Sequence, residues 1–266
     1  MLKKFFLALA LAGVTLGSAQ ADVFFLGANS DDGAGGDQEN FAFVALSNYA
    51  AGSVINFTDS SYGTNVAGQE DRFRWTEHLQ DAGAPLTLTL TSNLSFGQVV
   101  VYNDATNQFE WQGAAFGTTT GLESNFSTGG DQIFAYTGTI TNDGGTNAYR
   151  GNPTGITYQG AFNWANPGWL NSGAGSTSNS YLPVAVGTSF FLADSFDNVQ
   201  YTGARTFNSN GEMLAALSDS NNWSQDDVNP YAANTYGADF SVVPEPSSLA
   251  ILGLASLIGL GLRRRS

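Results

Sequence analysis

Residues 86–91 read Leu-Thr-Leu-Thr-Leu-Thr, an unbroken alternation of apolar and polar side chains. Successive side chains of a β-strand point to opposite faces, so we expect the leucines to face a core and the threonines to face water. Other apolar or alternating segments recur along the chain, separated by turn-forming residues. The pattern predicts strands at residues 23–26, 41–46, 54–58, 72–76, 86–91, 98–102, 132–137, 188–192 and 198–201.

One segment, residues 211–217, has the spacing of a short helix of about two turns. The turn-rich link at 48–53 predicts a hairpin between the strands on either side of it. Residues 113–130 and 141–179 are rich in glycine and polar residues, and we expect long loops there. Strands separated by turns favour an all-β sandwich over residues 22–243, as one domain or as two halves near 22–112 and 130–243.

The first 21 residues have the features of a secretory signal peptide. Lys3 and Lys4 precede a short apolar stretch, and Ala19 and Ala21 form a small-x-small cleavage site. The apolar stretch is too short to span a bilayer, which argues against the alternative of an uncleaved anchor. The sequence predicts that residues 1–21 are removed and that the rest is exported.

Three features follow one another at the C-terminus. A Pro-Glu-Pro triplet (Pro244, Glu245, Pro246) precedes an uncharged apolar run, 247–262, and an arginine cluster closes the segment (Arg263, Arg264, Arg265). At about 1.5 Å per residue the run rises about 24 Å, a marginal fit to a bilayer core of about 30 Å. Basic flanks resist translocation, so we expect a transmembrane helix with the arginines on the cytoplasmic side. The residue before each proline is biased away from helix, so the triplet should be extended.

This order of triplet, apolar run and arginines resembles the PEP-CTERM sorting signal of Gram-negative bacteria. The resemblance covers 244–266 and implies that an exosortase, a membrane enzyme with a cysteine nucleophile, cleaves at or near the triplet. It further implies an inner-membrane intermediate facing the periplasm, then placement at the cell surface or in an extracellular matrix of exopolysaccharide or biofilm. The alternative is a plain membrane anchor that is never cleaved, but an anchor alone does not need the triplet.

The charge distribution excludes several classes of function. Both lysines lie in the signal peptide, and residues 22–245 carry four arginines against 23 acidic residues, a net charge of −19. Such a surface repels phosphate backbones, so we expect no nucleic-acid partner. The chain contains no cysteine, so disulfides and thiol catalysis are excluded.

No catalytic site can be recognised in the sequence. The one histidine, His78, has no partner motif, and neither a nucleophile elbow nor a phosphate-binding loop is present. Acidic loops offer oxygen ligands for calcium, although none has EF-hand spacing and solvated loop acids are the simpler interpretation. We therefore expect no catalytic residue and no cofactor, with calcium as an open alternative on the following candidates: Asp31, Asp32, Asp37, Glu39, Asp194 and Asp197.

Two tryptophans, Trp164 and Trp169, lie in a predicted loop with glycine and asparagine. Flat indole faces suit sugar rings, so these side chains are candidates for contact with a glycan; packing at the edge of the core is the alternative.

Residues 39–46, 52–59 and 97–102 resemble the opening strands of lamin-tail-like sandwiches, which are immunoglobulin-type domains of exported bacterial proteins. The resemblance implies fold more than function. The sequence as a whole predicts an exported, non-catalytic surface or matrix protein with an exosortase as its processing partner. The alternative is a carbohydrate-binding module or a carbohydrate-active hydrolase of the same matrix.

Overall fold

The computed structural model describes residues 22–30, 39–63, 71–75, 85–121, 126–127, 130–144, 148–165, 168–171, 176, 178–186, 189–192 and 196–243. These residues form an all-β fold with one α-helix and several short 3-10 turns. The strands are β1 (Val23–Asn29), β2 (Phe41–Ala45), β3 (Val54–Thr58), β4 (Tyr62–Gly63), β5 (Arg72–Arg74), β6 (Leu86–Thr89), β7 (Val99–Asn103), β8 (Gln108–Trp111), β9 (Ala114–Ala115), β10 (Thr118–Thr120), β11 (Gln132–Gly138), β12 (Thr141–Asn142), β13 (Tyr149–Asn152), β14 (Ile156–Asn163), β15 (Ser189–Phe191), β16 (Asn198–Tyr201), β17 (Thr206–Phe207), β18 (Trp223–Asp226) and β19 (Ser241–Val242). The helix is α1 (Asn210–Leu217), and the 3-10 turns are Asp104–Thr106, Ser220–Asn222 and Ala233–Tyr236.

The strands assemble into three sheets and one short pair. Sheet 1 has the order β18-β16-β1-β2-β7-β8-β9, and sheet 2 has the order β10-β6-β3-β11-β14-β15. Sheet 3 has the order β12-β13-β5-β4, and β17 pairs with β19 in parallel. Both large sheets contain strands from residues 22–112 and from residues 130–243.

Sheets 1 and 2 pack face to face over an aromatic core. The ring of Phe57 on β3 lies 5.1 Å from that of Phe41 and 5.4 Å from that of Phe43, both on β2. Phe25 on β1 contacts Phe57 edge-on at 6.3 Å. Such offset and edge-to-face contacts add to the stabilisation from area burial. The predicted sandwich core therefore forms between these two sheets.

Sheet 3 covers the opposite face of sheet 2. Alternate residues of β11 belong to different cores: Ile133 faces sheet 1, whereas Phe134 packs edge-on against Phe73 of β5 at 5.3 Å. A strand that is buried on both faces loses the polar alternation expected of a half-exposed strand. This third layer was not predicted from the sequence.

The predicted hairpin between residues 41–46 and 54–58 is wrong. β2 pairs with β1 and β7 in sheet 1, whereas β3 pairs with β6 and β11 in sheet 2. The phenylalanines of the two strands oppose each other across the core, so the link at 46–53 crosses between the sheets.

The loop prediction for residues 141–179 is also wrong in part. β14 is a central strand of sheet 2, and the short strands β12 and β13 lie in the same stretch. A Cβ on Gly160 would lie 2.5 Å from the Val23 carbonyl oxygen, so this strand needs glycine where β1 approaches. The glycine that suggested a loop marks this close approach. Within 113–130, β9 and β10 likewise replace part of the predicted loop.

The predicted helix is confirmed as α1. Its N-terminus is capped by Ser209, whose hydroxyl accepts a hydrogen bond from the Glu212 amide at 3.2 Å, while the Glu212 carboxylate accepts one from the Asn208 amide at 2.9 Å. Met213 and Leu217 are buried in the main core. In the part of the chain that the structure describes, no helix has the length and apolarity needed to cross a bilayer.

Candidate functional site

Residues 229–243, here called the C-terminal strap, lie along the face of sheet 1 that points away from sheet 2. Tyr236, at the centre of the strap, is fully buried against β1. A Cβ on Gly27 would lie 2.5 Å from the Tyr236 ring. The strap therefore covers β1 and makes it, like β11, a strand that is buried on both faces.

Two polar side chains of sheet 1 bind the backbone at the start of the strap. Asn29 donates a side-chain hydrogen bond to the Tyr231 carbonyl oxygen and accepts one from the Tyr231 amide at 3.1 Å. Gln200 donates to the carbonyl oxygen of Thr235 and, at 3.2 Å, to its hydroxyl. Amide side chains can satisfy a donor and an acceptor together, which suits them to hold a segment without a sheet partner.

Arg205 holds the middle of the strap. Its guanidinium donates to the carbonyl oxygens of Tyr236 and, at 2.8 Å, of Ala238, and lies 4.7 Å from the centroid of the Phe240 ring. Burial lowers the pKa of Arg205, while Tyr201 and Asp239 act in the opposite direction. Arginine nonetheless stays charged at any physiological pH, so these contacts combine charge-assisted hydrogen bonds with a cation–π contact.

Asp239 fastens the strap to the other side of sheet 1. Its carboxylate accepts hydrogen bonds from the Val99 amide at 2.8 Å, from the Trp111 indole at 3.1 Å to each oxygen, and from the Gln112 side chain at 3.3 Å. Hydrogen bonds to a charged acceptor are stronger than those between neutral groups. One strap side chain therefore binds the first residue of β7 and the last residue of β8.

Backbone hydrogen bonds continue to the last described residue. The Phe240 amide donates to the Gly97 carbonyl oxygen at 2.7 Å, and the Val243 amide donates to the Phe207 carbonyl oxygen at 2.8 Å. Gly97 has φ +85°, and a Cβ there would lie 2.3 Å from the Phe240 carbonyl oxygen, so glycine is required at this contact. The strap is thus anchored along its length up to Val243.

A groove of about 260 Å³ runs beside the strap, between β7–β8 and the segment 233–237. Glu110 is the one acidic residue among the described residues that line it, and the Glu110 carboxylate accepts hydrogen bonds from the side chains of Asn103 and Thr106, each at 3.0 Å. The carboxylate is therefore held by its neighbours, which is an ordinary structural role.

The end of the strap coincides with the start of a known motif. The PEP-CTERM protein-sorting motif matches residues 242–265, so the match begins within β19. The chain carries a PEP-CTERM sorting motif. It is therefore an exported protein that is sorted at the membrane by an exosortase. The comparisons with curated proteins and with solved structures give no match.

The predicted sorting residues fall inside this match, which confirms the motif inferred from the sequence. The triplet Pro244, Glu245 and Pro246 and the cluster Arg263, Arg264 and Arg265 lie outside the described residues. His78 and the signal-peptide residues Ala19 and Ala21 also lie outside the described residues. Cleavage of the signal peptide therefore stays a prediction.

Two of the calcium candidates, Glu39 and Asp197, lie just before strands of sheet 1, β2 and β16. Glu39 is buried just before β2, and the Asp197 carbonyl oxygen accepts hydrogen bonds from the Ser30 amide at 2.9 Å and hydroxyl at 2.6 Å. The other candidates, Asp31, Asp32, Asp37 and Asp194, lie outside the described residues. Within the described ranges, no group of three or more His, Asp or Glu side chains is placed to hold a metal ion.

The two tryptophan candidates for glycan contact have different environments. Trp164 is wholly buried, and its ring packs against Phe126 at 5.0 Å and Phe162 at 5.2 Å, which agrees with the alternative of core packing and leaves no face open to a polysaccharide. Trp169 is half-buried, and its ring lies 5.5 Å from that of Phe134 in the core between sheets 2 and 3. Apolar packing accounts for both contacts.

The sequence did not reveal Arg205 and Asp239. One sequence feature could have drawn attention to Arg205: it is one of only four arginines between the signal peptide and the sorting motif. Asp239 had no such feature, since 22 acidic residues precede the triplet and nothing local distinguishes this one.

Proposed function

We propose that this protein is a non-catalytic component of the cell surface or extracellular matrix, associated with exopolysaccharide or biofilm. The observation that carries the proposal is the sorting motif, which starts within the last strand of a folded all-β domain. Export places the domain outside the cytoplasm, and the motif gives the enzyme that processes it. A matrix role then requires only a soluble, stable domain.

Composition supports this role. The net charge of −19 over residues 22–245 favours solubility and association with cations, as in a hydrated polyanionic matrix. The sequence has no cysteine, one histidine and no lysine beyond the signal peptide, so it lacks cysteine and lysine nucleophiles and offers a single imidazole base. The proposal includes no resident cofactor.

The route of export and processing is part of the same proposal. Residues 1–21 act as a signal peptide, and the apolar run 247–262 holds the protein in the inner membrane with the domain in the periplasm until the exosortase acts. The domain itself is of the immunoglobulin-like, lamin-tail-like type. Exopolysaccharide is the partner expected after release.

Fractionation of the producing bacterium tests the route. The wild type should appear in the extracellular fraction with an intact mass that shows loss of the C-terminal segment, whereas Glu245→Ala should stay full-length in the membrane. The matched control, Asp227→Ala, removes one exposed carboxylate outside the motif and should be released like the wild type. Wild-type protein that stays full-length in the membrane would overturn the proposal. Loss of the extracellular protein from the exopolysaccharide fraction on polysaccharide digestion would support the matrix partner.

A further inference from the structure

The strap ends three residues before the apolar run of the sorting motif. The Val243 amide is bonded to the Phe207 carbonyl oxygen, and only the Pro-Glu-Pro triplet separates Val243 from Ser247. A fully extended chain spans about 3.3–3.6 Å per residue, so the Cα atoms of Val243 and Ser247 are at most about 14 Å apart. The folded domain therefore reaches to within about 14 Å of the membrane-directed run.

The residues before the triplet are not free to bind elsewhere while the strap is docked. The Phe240 amide is bonded to Gly97, and the Ser241 amide to the Arg205 carbonyl oxygen at 2.8 Å. Phe240 is also buried, with 5% of its surface exposed. An enzyme that binds its substrate as an added strand needs several consecutive backbone groups. In this stretch the amides of Phe240, Ser241 and Val243 are already bonded within the domain.

Arg205 and Asp239 hold this segment from opposite sides. Arg205 lies outside the strap and donates to two strap carbonyl oxygens, whereas Asp239 lies in the strap and accepts from β7 and β8. Undocking of the strap from Tyr236 onward therefore breaks these charge-assisted hydrogen bonds as well as the parallel pairing of β19 with β17. Opening of such a segment is a local unfolding event with its own equilibrium.

We propose that Arg205 and Asp239 set the rate of exosortase processing by keeping the strap docked, and that the enzyme acts after β19 has been released. The triplet alone gives the enzyme too short a stretch of extended chain, so it also needs the residues that precede Pro244. The fold thereby limits access to its own sorting motif.

Pulse-chase release from the producing bacterium measures this rate. Asp239→Ala leaves the Val99 amide and the Trp111 indole without their acceptor, so the strap should open more often and release should be about tenfold faster. Asp239→Asn keeps one acceptor oxygen but loses the charge and the second acceptor, so its release rate should fall between those of the wild type and Asp239→Ala. Ile55→Val, a buried change in sheet 2, lowers global stability without contact to the strap and should not change the rate.

An insertion provides a test that does not depend on the stability of the domain. Eight Gly/Ser residues between Val243 and Pro244 lengthen the free segment by up to about 28 Å without altering a described residue. The inserted protein should be released faster than the wild type, and Asp239→Ala should add nothing in that background. An insertion without effect overturns the inference. So does an Asp239→Ala variant that, while folded by circular dichroism, is released no faster than the wild type.

The inference rests on the proposed sorting function. The experiment must therefore distinguish failure of the sorting function from failure of the role proposed for the strap. If neither the wild type nor the inserted protein is released, the sorting function fails. If the wild type is released but the insertion and Asp239→Ala leave its rate unchanged, only the role of the strap fails. An acceleration by Asp239→Ala that persists in the inserted background assigns the effect to global destabilisation and overturns the inference as well.

Discussion

At the scale of single residues, two buried tyrosines differ in what their hydroxyls contact. The Tyr201 hydroxyl donates to the Ala204 carbonyl oxygen at 2.9 Å, whereas the hydroxyl of Tyr236, a strap residue that is fully buried against β1, has no hydrogen-bond partner within the described residues. An unsatisfied buried hydroxyl costs about 1–3 kcal/mol, whereas a satisfied one stabilises by about 1 kcal/mol. The two positions therefore form a matched pair.

Tyr236→Phe should raise the free energy of unfolding by about 1 kcal/mol, because it removes the unpaired hydroxyl and keeps the ring. Tyr201→Phe should lower it by about 1 kcal/mol, because the Ala204 carbonyl loses its donor. Urea unfolding followed by tryptophan fluorescence measures both changes. A Tyr236→Phe variant less stable than the wild type would show that the hydroxyl is bonded after all.

At the scale of elements, β1 is a strand that other elements approach closely. It lies between β16 and β2, and its register shifts between Phe25 and Gly27. Gly27 has φ +155°, and a Cβ there would lie 2.3 Å from the Val199 carbonyl oxygen and 2.5 Å from the Tyr236 ring. The irregularity in β1 is therefore what allows both the next strand and the strap to approach.

Gly27→Ala should destabilise the domain by at least about 3 kcal/mol, because the methyl group collides with backbone as well as with a side chain. Gly52→Ala is the control: Gly52 has φ +86° but nothing within 4 Å of a Cβ, so only backbone strain of about 1–2 kcal/mol applies. Urea unfolding of the two variants separates the clash from the strain. Equal losses at both positions would contradict the packing described for β1.

A comparison of predicted and observed strands shows what local sequence patterns can predict. β3 and β16 have the predicted bounds, because each combines β-branched or aromatic residues with flanking turn signals. β14 escaped prediction because Gly160 and its polar residues match a loop by composition. The hairpin prediction failed because turn residues show that the chain reverses direction, but not which sheet it enters next.

At the scale of the whole molecule, burial of tyrosines makes stability depend on alkaline pH. Burial raises the pKa of Tyr136 and of Tyr236, which are both fully inaccessible, well above the ordinary value of about 10. Burial likewise raises the pKa of Tyr49, Tyr62 and Tyr158. The folded protein therefore keeps these protons at a pH where the unfolded chain has lost them.

The sign of the effect follows from linkage. The stabilisation is fully present below pH 10 and decreases above it, by about 1.4 kcal/mol per pH unit for each fully buried tyrosine. Tyr136 and Tyr236 together should thus cost about 2 kcal/mol between pH 10 and 11, because the unfolded tyrosines are only half ionised at pH 10. Phenolate absorbance near 295 nm and circular dichroism should change together in an alkaline titration. Ionisation of all ten tyrosines with the β-sheet signal intact would contradict the burial of this group.

The sequence by itself determined the sorting motif and nine of the nineteen described strands. Both are local: the motif is a contiguous order of triplet, apolar run and arginines, and a strand appears in the period of its side chains. Only the tertiary structure decided which strands share a sheet, that sheet 2 is covered on both faces, and that residues 229–243 are docked up to the motif. The Asp239 carboxylate meets the Trp111 indole across 128 positions of the chain, and a contact between such distant residues leaves no trace in local periodicity.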